Sequence, residues 1–460
     1  MTRRKQHLQG RRGQAFLQLV RGVPQEQIVV VSIDVHKYYH LVLIHNGYGE
    51  VLAPSFQIDI FRSGLDLLCA EIDRLLSETQ AQVLFIGMEP TGHYFENLAR
   101  HLRERYRDVR LVNSFAVARN REQKMMRRTK TDEIDVAAIG DLLLRNECFP
   151  FEPLSDDYLR LQHWVRFRKA KMKARTALKN QIIGHLDRIF PGLARPNKEG
   201  QGEHPPLFSD LWEGETARRL LELGPDPREL AQIEPAELIA RFHTRGWRMG
   251  PVTAQRMIAF AQQVLLPDPD IIEARLPLLK LDLALLKTVD EVLAATEERI
   301  AYYLAKTRGQ ILTEIKGIGV LRAAAYVAGI GNPEHYENAG QTFRRSGLIS
   351  GRDDSGMHQR RGLGKRVTKE GDSHLRSALV EMTHGMCQWQ PYFGKYKARL
   401  EDRGKAPGVA AVATARKVNG VLFALMRDQA PFQPVDGRGR PVPPLEGLNK
   451  QKATADRDSS

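Results

Sequence analysis

Short apolar runs alternate with amphipathic segments over the first 150 residues of the chain. The β-branched runs that begin at Ile28 and Val83 predict buried strands, and Asn46-Gly47-Tyr48-Gly49 supplies the turn chemistry of a hairpin between two further strands. Leucine and isoleucine at helical spacing predict an amphipathic helix at about 64–79. The predicted strands are 28–33, 40–45, 51–58, 83–88 and 109–112, and a second helix is predicted at 94–105. This order is typical of an α/β domain with a mixed central sheet.

Beyond Pro150 the pattern becomes helical. A basic helix is predicted from about 158 to 190, and shorter helices at 321–328, 373–387 and 408–427. Apolar residues recur at heptad spacing in 278–308, which predicts a coiled-coil segment. One heptad position holds Leu279, Leu286, Leu293 and Ile300, and the other holds Val289 and Tyr303. This segment pairs either with the basic helix as an intramolecular hairpin or with another copy as a dimer seam.

These changes of pattern divide the chain into several regions, as expected for 460 residues. We predict a basic N-terminal tail at 1–27 and an α/β domain at 28–150. A helical, coiled-coil region follows at 151–310, with an insertion at about 197–276. The last regions are a mainly α C-terminal domain at 311–430 and a disordered tail at 431–460.

Charge and cysteine content limit the classes of function. The formal net charge of +14 favours a polyanionic partner. The three cysteines lack metal-ligand spacing, which argues against a zinc site or a disulfide framework and fits a reduced cytoplasm. No apolar run approaches membrane-spanning length and the start lacks a signal peptide, so we expect a cytoplasmic protein without a membrane partner.

The basic residues lie in three separate segments, which fits nucleic acid better than a membrane surface. The candidate nucleic-acid-binding residues are Arg127, Arg128 and Lys130 in the first segment, Arg166, Arg168, Lys169, Lys173 and Lys179 in the second, and Arg352, Arg360, Arg361 and Lys369 in the third.

Four carboxylates form the main candidate site. Asp34 and Glu89 each end a predicted strand, and Asp132 and Asp135 lie on one face of a predicted helix. Together they would form a cluster of hard oxygen ligands, which suits Mg²⁺ or Mn²⁺. The simpler alternative is that two acids merely end strands, while the other two suit a helix start capped by Thr131. His36 and His93 lie close by, in structural or outer-sphere positions.

The second candidate site is the Arg-rich loop 351–362, which contains Ser355-Gly356. Its serine could attack a phosphorus atom, or the loop could only bind phosphate; composition favours the latter, and Ser346, Ser350 and Ser373 fit equally well. A third segment, Gly317-Ile318-Gly319, could present backbone N–H groups to a phosphate or allow close helix packing.

The motifs resemble the DEDD transposases of bacterial insertion sequences, the insertion-sequence one-ten family of bridge-RNA-guided recombinases. The resemblance covers about 28–430, and its motifs begin at Ser32, Met88, Lys130, Ile315, Ser346, Asp354 and Thr368. It implies a RuvC-like, ribonuclease-H-type domain at 28–150 and a C-terminal transposase domain. It also implies that Asp34, Glu89, Asp132 and Asp135 are catalytic metal ligands.

The resemblance further assigns Ser355 as the nucleophile that links covalently to DNA. DNA and a structured guide RNA would be the partners of a homodimer or tetramer. Two rival interpretations stay open. One is a RuvC-like junction nuclease that uses water, and the other is a non-catalytic nucleic-acid-binding protein.

Overall fold

The computed structural model describes residues 10–125, 131–154, 156–195, 206–349, 367, 371–435 and 440–441. The chain divides into two units, residues 1–153 and 154–460. The described helices and strands of the first unit are α1 (Gly10–Val20), β1 (Ile28–Val35), β2 (Tyr39–Asn46), β3 (Val51–Asp59), α2 (Arg62–Glu78), β4 (Val83–Met88), α3 (Phe95–Tyr106), β5 (Val109–Val112), α4 (Ser114–Met125), α5 (Asp132–Leu144) and β6 (Cys148–Pro150).

The six strands form one mixed sheet in the order β3-β2-β1-β4-β5-β6. β1 pairs antiparallel with β2 and parallel with β4, while β5 pairs parallel with β4 and antiparallel with β6. The predicted mixed α/β sheet is therefore confirmed. The short strand β6 and the helix α1 were not predicted.

β1 is buried along its whole length because helices cover both faces of the sheet. Alternate side chains point to opposite faces. Val29, Val31 and Ile33 join a core with α2 and α3, whereas Ile28 and Val30 join a core with α4 and α5. This double burial explains why the strand reads as a continuous β-branched run.

α5 lies unusually close to the sheet, and two glycines make this possible. A Cβ at Gly140 of α5 would lie 2.8 Å from Ser32 Oγ on β1 and closer still to His45 Nε2 on β2. A Cβ at Gly87 of β4 would lie 2.6 Å from Leu143 Cδ1 of α5. The helix that carries the Asp pair is thus fixed against three neighbouring strands.

The described part of the second unit is helical. Its helices are α6 (Asp156–Ile189), α7 (Glu215–Leu223), α8 (Pro227–Leu230), α9 (Pro235–His243), α10 (Pro251–Gln263), α11 (Pro269–Leu304), α12 (Val320–Ile330), α13 (Ala339–Arg345), α14 (Ser373–Trp389), α15 (Pro391–Asp402) and α16 (Pro407–Asp428). α15 was not predicted as a separate helix.

α6 and α11 form an antiparallel pair. Arg168 contacts Glu297 at 2.6 Å, and Arg175 contacts Asp290 at 2.5 Å. A later position on α6 therefore contacts an earlier position on α11, so the two helices run in opposite directions. The predicted heptad residues Leu279, Leu286, Leu293 and Ile300 are buried within the chain. The intramolecular hairpin, one of the two alternatives for this segment, therefore accounts for them. α7–α10 pack against the end of the hairpin away from α12.

The rest of the unit packs around α12, α14 and α16. By length and composition α16 could cross a membrane, so the expectation that no apolar run approaches this length is wrong for 407–428. Half of its most apolar window is buried, and Val418, Leu422 and Met426 contribute to the core. This use as a core helix explains the composition. Close packing likewise explains Gly317, where a Cβ would lie 2.7 Å from Trp389 Cγ.

Candidate active site

The first two carboxylates leave the sheet at the same edge. Because β1 and β4 are parallel and Ile33 lies opposite Met88, the next residues, Asp34 and Glu89, emerge side by side. Asp34 is buried, with 6% of its surface exposed, whereas Glu89 is half-buried. The sheet therefore brings together two of the predicted site residues.

The second pair of carboxylates begins α5. Thr131 caps this helix by accepting a hydrogen bond from the Ile134 N–H at 3.4 Å, and Asp132 and Asp135 lie in the first turn. The simpler interpretation of this motif, a capped helix start, is thus correct as local structure. It does not exclude a catalytic role, because close packing of α5 holds this turn at the acidic edge of the sheet.

Electrostatic coupling joins all four carboxylates. Burial raises the pKa of Asp34, and the negative charges of Glu89, Asp135 and Asp132 raise it further. His36 opposes these effects and lowers the pKa of Asp34. A site in which ionised carboxylates destabilise one another is one that a divalent cation stabilises.

Asp34, Asp132 and His36 come closest together, with ligand atoms within 4.8 Å of one another. His36 Nε2 lies 3.1 Å from Asp34 Oδ2 and 3.7 Å from Asp132 Oδ2. Glu89 and Asp135 lie outside this tightest group and act on Asp34 through their charge.

Tyr39 belongs to this site, although sequence reasoning missed it. Its hydroxyl donates to Asp132 Oδ2 at 3.4 Å, and its ring stacks on His36 with the centroids 4.6 Å apart. Burial and the neighbouring Asp132 raise the pKa of Tyr39, which keeps the hydroxyl a donor. The turn between β1 and β2, only three residues long, places this ring beside the carboxylates.

Arg121 on α4 is a second residue that sequence reasoning did not assign to the site. Its Nη1 lies 2.5 Å from Asp135 Oδ1, and both side chains are largely buried. The guanidinium offsets part of the negative charge, and the second oxygen of Asp135 is left to serve as a ligand. The donor set of carboxylate oxygens, plus one imidazole nitrogen, fits Mg²⁺ or Mn²⁺.

The basic residues of α6 have different environments. Arg166, Lys169 and Lys173 are exposed and share one helix face, whereas Arg168 is held by Glu297. Lys179 lies over the Trp212 ring, 4.6 Å from its centroid, and burial lowers its pKa.

The exposed basic face of α6 lies near the start of α14. Burial lowers the pKa of His374, and the charges of Lys169 and Arg166 lower it further. The basic face of α6 therefore lies next to the first turn of α14 at His374. The predicted residues Arg127, Arg128, Lys130, Arg352, Arg360, Arg361 and Lys369 lie outside the described residues.

Ser355 also lies outside the described residues, but both ends of its loop are described. The Asp372 N–H donates to the Arg345 carbonyl oxygen at 2.8 Å, which closes the base of the segment. Gly371 has φ +156°, and a Cβ there would lie 2.8 Å from Gly347 N and closer to Arg345 O. The two ends of the loop are therefore held in direct contact. Ser346 is buried and donates to Phe343 O, which suits a structural role.

Two family models match the chain. One, described as a transposase of the DEDD type, matches residues 31–191 and spans all four carboxylates. The other, described as the transposase IS116/IS110/IS902 family, matches 309–398 and spans Ser355. Together they match more than half of the 460 residues. The protein is a DNA transposase or recombinase. It belongs to the IS110 family of DEDD transposases.

Curated relatives agree with this assignment. An insertion element IS116 protein of Streptomyces clavuligerus is 25% identical over 415 residues, which cover 88% of this chain and 96% of the relative. An insertion element IS110 protein of Streptomyces coelicolor is 25% identical over 308 residues, covering 65% and 71% respectively. A pilin gene-inverting protein of Moraxella bovis is 28% identical over 127 residues, covering 27% and 38%.

Proposed function

We propose that this transposase cuts and rejoins DNA strands with a Mg²⁺-dependent DEDD site and a serine nucleophile. The observation that carries the proposal is that Glu89, Asp132 and Asp135 lie close enough to the buried Asp34, at one sheet edge, for their charges to raise its pKa. Mg²⁺ or Mn²⁺, when bound there, supplies charge stabilisation for a phosphodiester. Asp34 and Asp132 would bind the ion through their carboxylate oxygens, and Tyr39 orients Asp132 through its hydrogen bond.

Ser355 would make the covalent bond. Its Oγ forms a bond to phosphorus, the bond from phosphorus to a deoxyribose oxygen breaks, and the serine proton passes to a base or to water. Rejoining reverses these steps with a different strand end. The support is the family match across Ser355 and the closed base of its loop, where Asp372 contacts Arg345.

A structured RNA would choose the DNA sites. The exposed basic face formed by Arg166, Lys169 and Lys173 suits contacts with the phosphates of a nucleic-acid backbone, which position the protein without reading sequence. We infer a RuvC-like first domain and a cytoplasmic, nucleoid-associated homodimer or tetramer. Sequencing RNA that copurifies with the full chain tests this step; one structured species encoded beside the gene is expected, and only bulk cellular RNA would contradict it.

Strand exchange on a plasmid that carries the element ends tests the chemistry. Ser355→Ala and Asp132→Ala should each abolish strand exchange while leaving nucleic-acid binding within about twofold of wild type. Glu133→Ala is the matched control, since Glu133 is exposed between the two site aspartates. Full strand exchange by Ser355→Ala would refute the serine role.

The same variants separate the rival interpretations. A junction nuclease that uses water needs only the four acids, so Ser355→Ala would retain metal-dependent cleavage. A non-catalytic binding protein would show no cleavage in any variant. We favour the transposase because the family match extends to the serine-bearing region, which a simple nuclease does not need.

A further inference from the structure

Three aromatic side chains of the first unit are exposed to solvent at one edge of the sheet. Tyr38, Phe61 and Phe115 are 68%, 69% and 72% exposed, which are the highest values for any Phe, Tyr or Trp among the described residues. Single exposed apolar side chains are ordinary on a protein surface, but a set of large ones gathered in one place marks an interaction site. What gathers these three rings is the direction of the strands.

The topology places all three rings at the edge where the acids lie. β3, β1 and β5 run in the same direction, because β2 is antiparallel to both β1 and β3, while β4 is parallel to both β1 and β5. Phe61 follows β3, Tyr38 follows β1 and Phe115 follows β5. Four strand intervals of about 4.8 Å separate β3 from β5, so the row is about 19 Å wide. Asp34 and Glu89, at the ends of β1 and β4, lie within it.

The backbone beside each ring is held in place, although the ring itself is in solvent. The Phe61 N–H donates to Asp59 Oδ1 at 2.9 Å, and the Phe115 N–H donates to Asn113 Oδ1 at 2.8 Å. Tyr38 lies in the turn of three residues that joins β1 to β2. Rings on fixed backbones lose little conformational freedom when a flat ligand stacks on them, so they suit binding.

An exposed basic side chain accompanies each ring. The first lies over its ring, since Lys37 Nζ is 4.8 Å from the centroid of the Tyr38 ring. The second follows its ring directly in the chain, and the third lies one helical turn further along α4. Rings that stack on bases, together with cations that bind the phosphates between them, are how proteins hold single-stranded nucleic acid. The three pairs are Tyr38 with Lys37, Phe61 with Arg62, and Phe115 with Arg119.

We propose that Tyr38, Phe61 and Phe115 stack on unpaired bases of the DNA strand that is cut at Asp34 and Glu89. The proposal rests on the function proposed above, because it takes the acids as the place of cutting. Bases on both sides of the scissile phosphate then each meet a ring. A base inside a duplex is already stacked and offers no free face, so the row selects a strand that has been opened. Stacking tolerates any base, so the row needs no particular sequence.

Binding of the full chain to a single-stranded oligonucleotide and to the matching duplex, measured by fluorescence anisotropy in EDTA, tests the proposal. Tyr38→Ala, Phe61→Ala and Phe115→Ala should each weaken single-strand binding by about 5- to 100-fold and leave duplex binding unchanged. The matched control is Tyr48→Ala, which should change neither. Tyr48 is 64% exposed and its N–H donates to Asn46 Oδ1, but it lies between β2 and β3 at the opposite edge.

Conservative variants separate stacking from general apolar contact. Phe61→Tyr and Phe115→Tyr keep a ring and should bind the single strand as wild type does. Phe61→Leu and Phe115→Leu keep an apolar side chain without a ring and should lose as much affinity as the alanine variants. Circular dichroism verifies that all variants stay folded. Unchanged single-strand binding in the three alanine variants, or wild-type binding by the leucine variants, overturns the proposal.

Ultraviolet crosslinking identifies the strand that the rings contact. The full chain with its copurified RNA would be bound in EDTA to DNA that carries the element ends and has bromodeoxyuridine in place of thymidine. Crosslinks from this DNA to Tyr38, Phe61 and Phe115 are expected, with none to Tyr48. Crosslinks of the three rings to RNA alone, or to another protein chain, would refute the proposal. Neither measurement breaks a bond, so a wild type that stacks DNA bases but exchanges no strands contradicts the proposed function only.

Discussion

Gly140→Ala tests whether close packing of α5 positions the acidic site. The new methyl would lie 2.8 Å from Ser32 Oγ and 3.1 Å from His45 Cδ2, and closer to His45 Nε2, where ordinary contact is 3.4–4 Å. Neither neighbour can move easily, because Ser32 is fully buried in β1 and His45 Nδ1 donates to Asn46 O at 2.8 Å. α5 must therefore move away by roughly 1 Å. Overpacking of a core on this scale lowers the free energy of unfolding by about 1–3 kcal/mol.

This shift has a functional consequence because α5 begins with Asp132 and Asp135. A misplacement of about 1 Å in a catalytic group can reduce a rate about 100-fold. We expect the variant to stay folded, since about 1–3 kcal/mol is less than the total stability of about 5–15 kcal/mol. Strand exchange and Mn²⁺ binding should both fall, by about 10- to 100-fold.

Urea unfolding monitored by circular dichroism gives the stability, and electron paramagnetic resonance gives the Mn²⁺ affinity. The matched control is Ala137→Gln on the exposed side of the same helix, which should change the stability by no more than about 0.5 kcal/mol. Ser32→Ala in the Gly140→Ala background should restore part of the loss. A Gly140→Ala protein with wild-type stability and metal affinity would refute the reasoning.

Three further predictions follow from the same geometry. Burial and neighbouring carboxylates raise the pKa of Asp34 above its unfolded value, so its ionised form opposes folding. Asp34→Asn should therefore raise the melting temperature in EDTA at pH 7, and the gain in melting temperature should disappear towards pH 4. A lower melting temperature for Asp34→Asn at pH 7 would contradict this prediction. Gly371→Ala should abolish strand exchange, since its Cβ would meet the Arg345 carbonyl at the loop base. Gly404→Ala, which also has a positive φ (+77°) but open space around its Cβ, should retain it. Arg166→Ala/Lys169→Ala should make the slope of log binding constant against log salt concentration shallower, by the amount expected for the loss of about two phosphate contacts. Arg168→Ala, which loses its pair with Glu297, should instead lower the stability of the fold.

The strands of the first unit could be predicted closely because buried strands appear in the sequence as short runs of apolar, β-branched residues. β4 and β5 have the predicted bounds, and β1 extends two residues beyond its prediction. β6 is three residues long and carries no pattern of its own, so only its pairing with β5 defines it. α1 is only 11 residues long, and it is held to the core by few side chains, among them Phe16, whose ring stacks on Phe85 with centroids 5.3 Å apart.

The acidic site was predictable from the order of its residues, but its immediate surroundings were not. Asp34 and Glu89 end consecutive parallel strands, a relation visible in the sequence. Tyr39 and Arg121 reach the carboxylates only through the β1–β2 turn and the packing of α4 on α5. A weak signal for Tyr39 was available, because His36 and then two adjacent tyrosines, Tyr38 and Tyr39, follow Asp34 within five residues.

The heptads of α11 show a different limit of sequence reasoning. The sequence contains a heptad series that begins at Leu279. Periodicity alone could not say whether this series faces α6 or another copy of the chain. The structure resolves this because the ion pairs at Glu297 and Asp290 fix the rotation of α11 about its axis.

The most direct test of the proposed chemistry is to trap the protein on DNA. A suicide substrate with a nick beside the cleavage site would be incubated with the full chain, its copurified RNA and Mg²⁺, and the adduct mapped by mass spectrometry. We expect a covalent bond between DNA and Ser355 that is lost in both Ser355→Ala and Asp132→Ala. Metal-dependent cleavage without an adduct, or an adduct on another residue, would contradict the account.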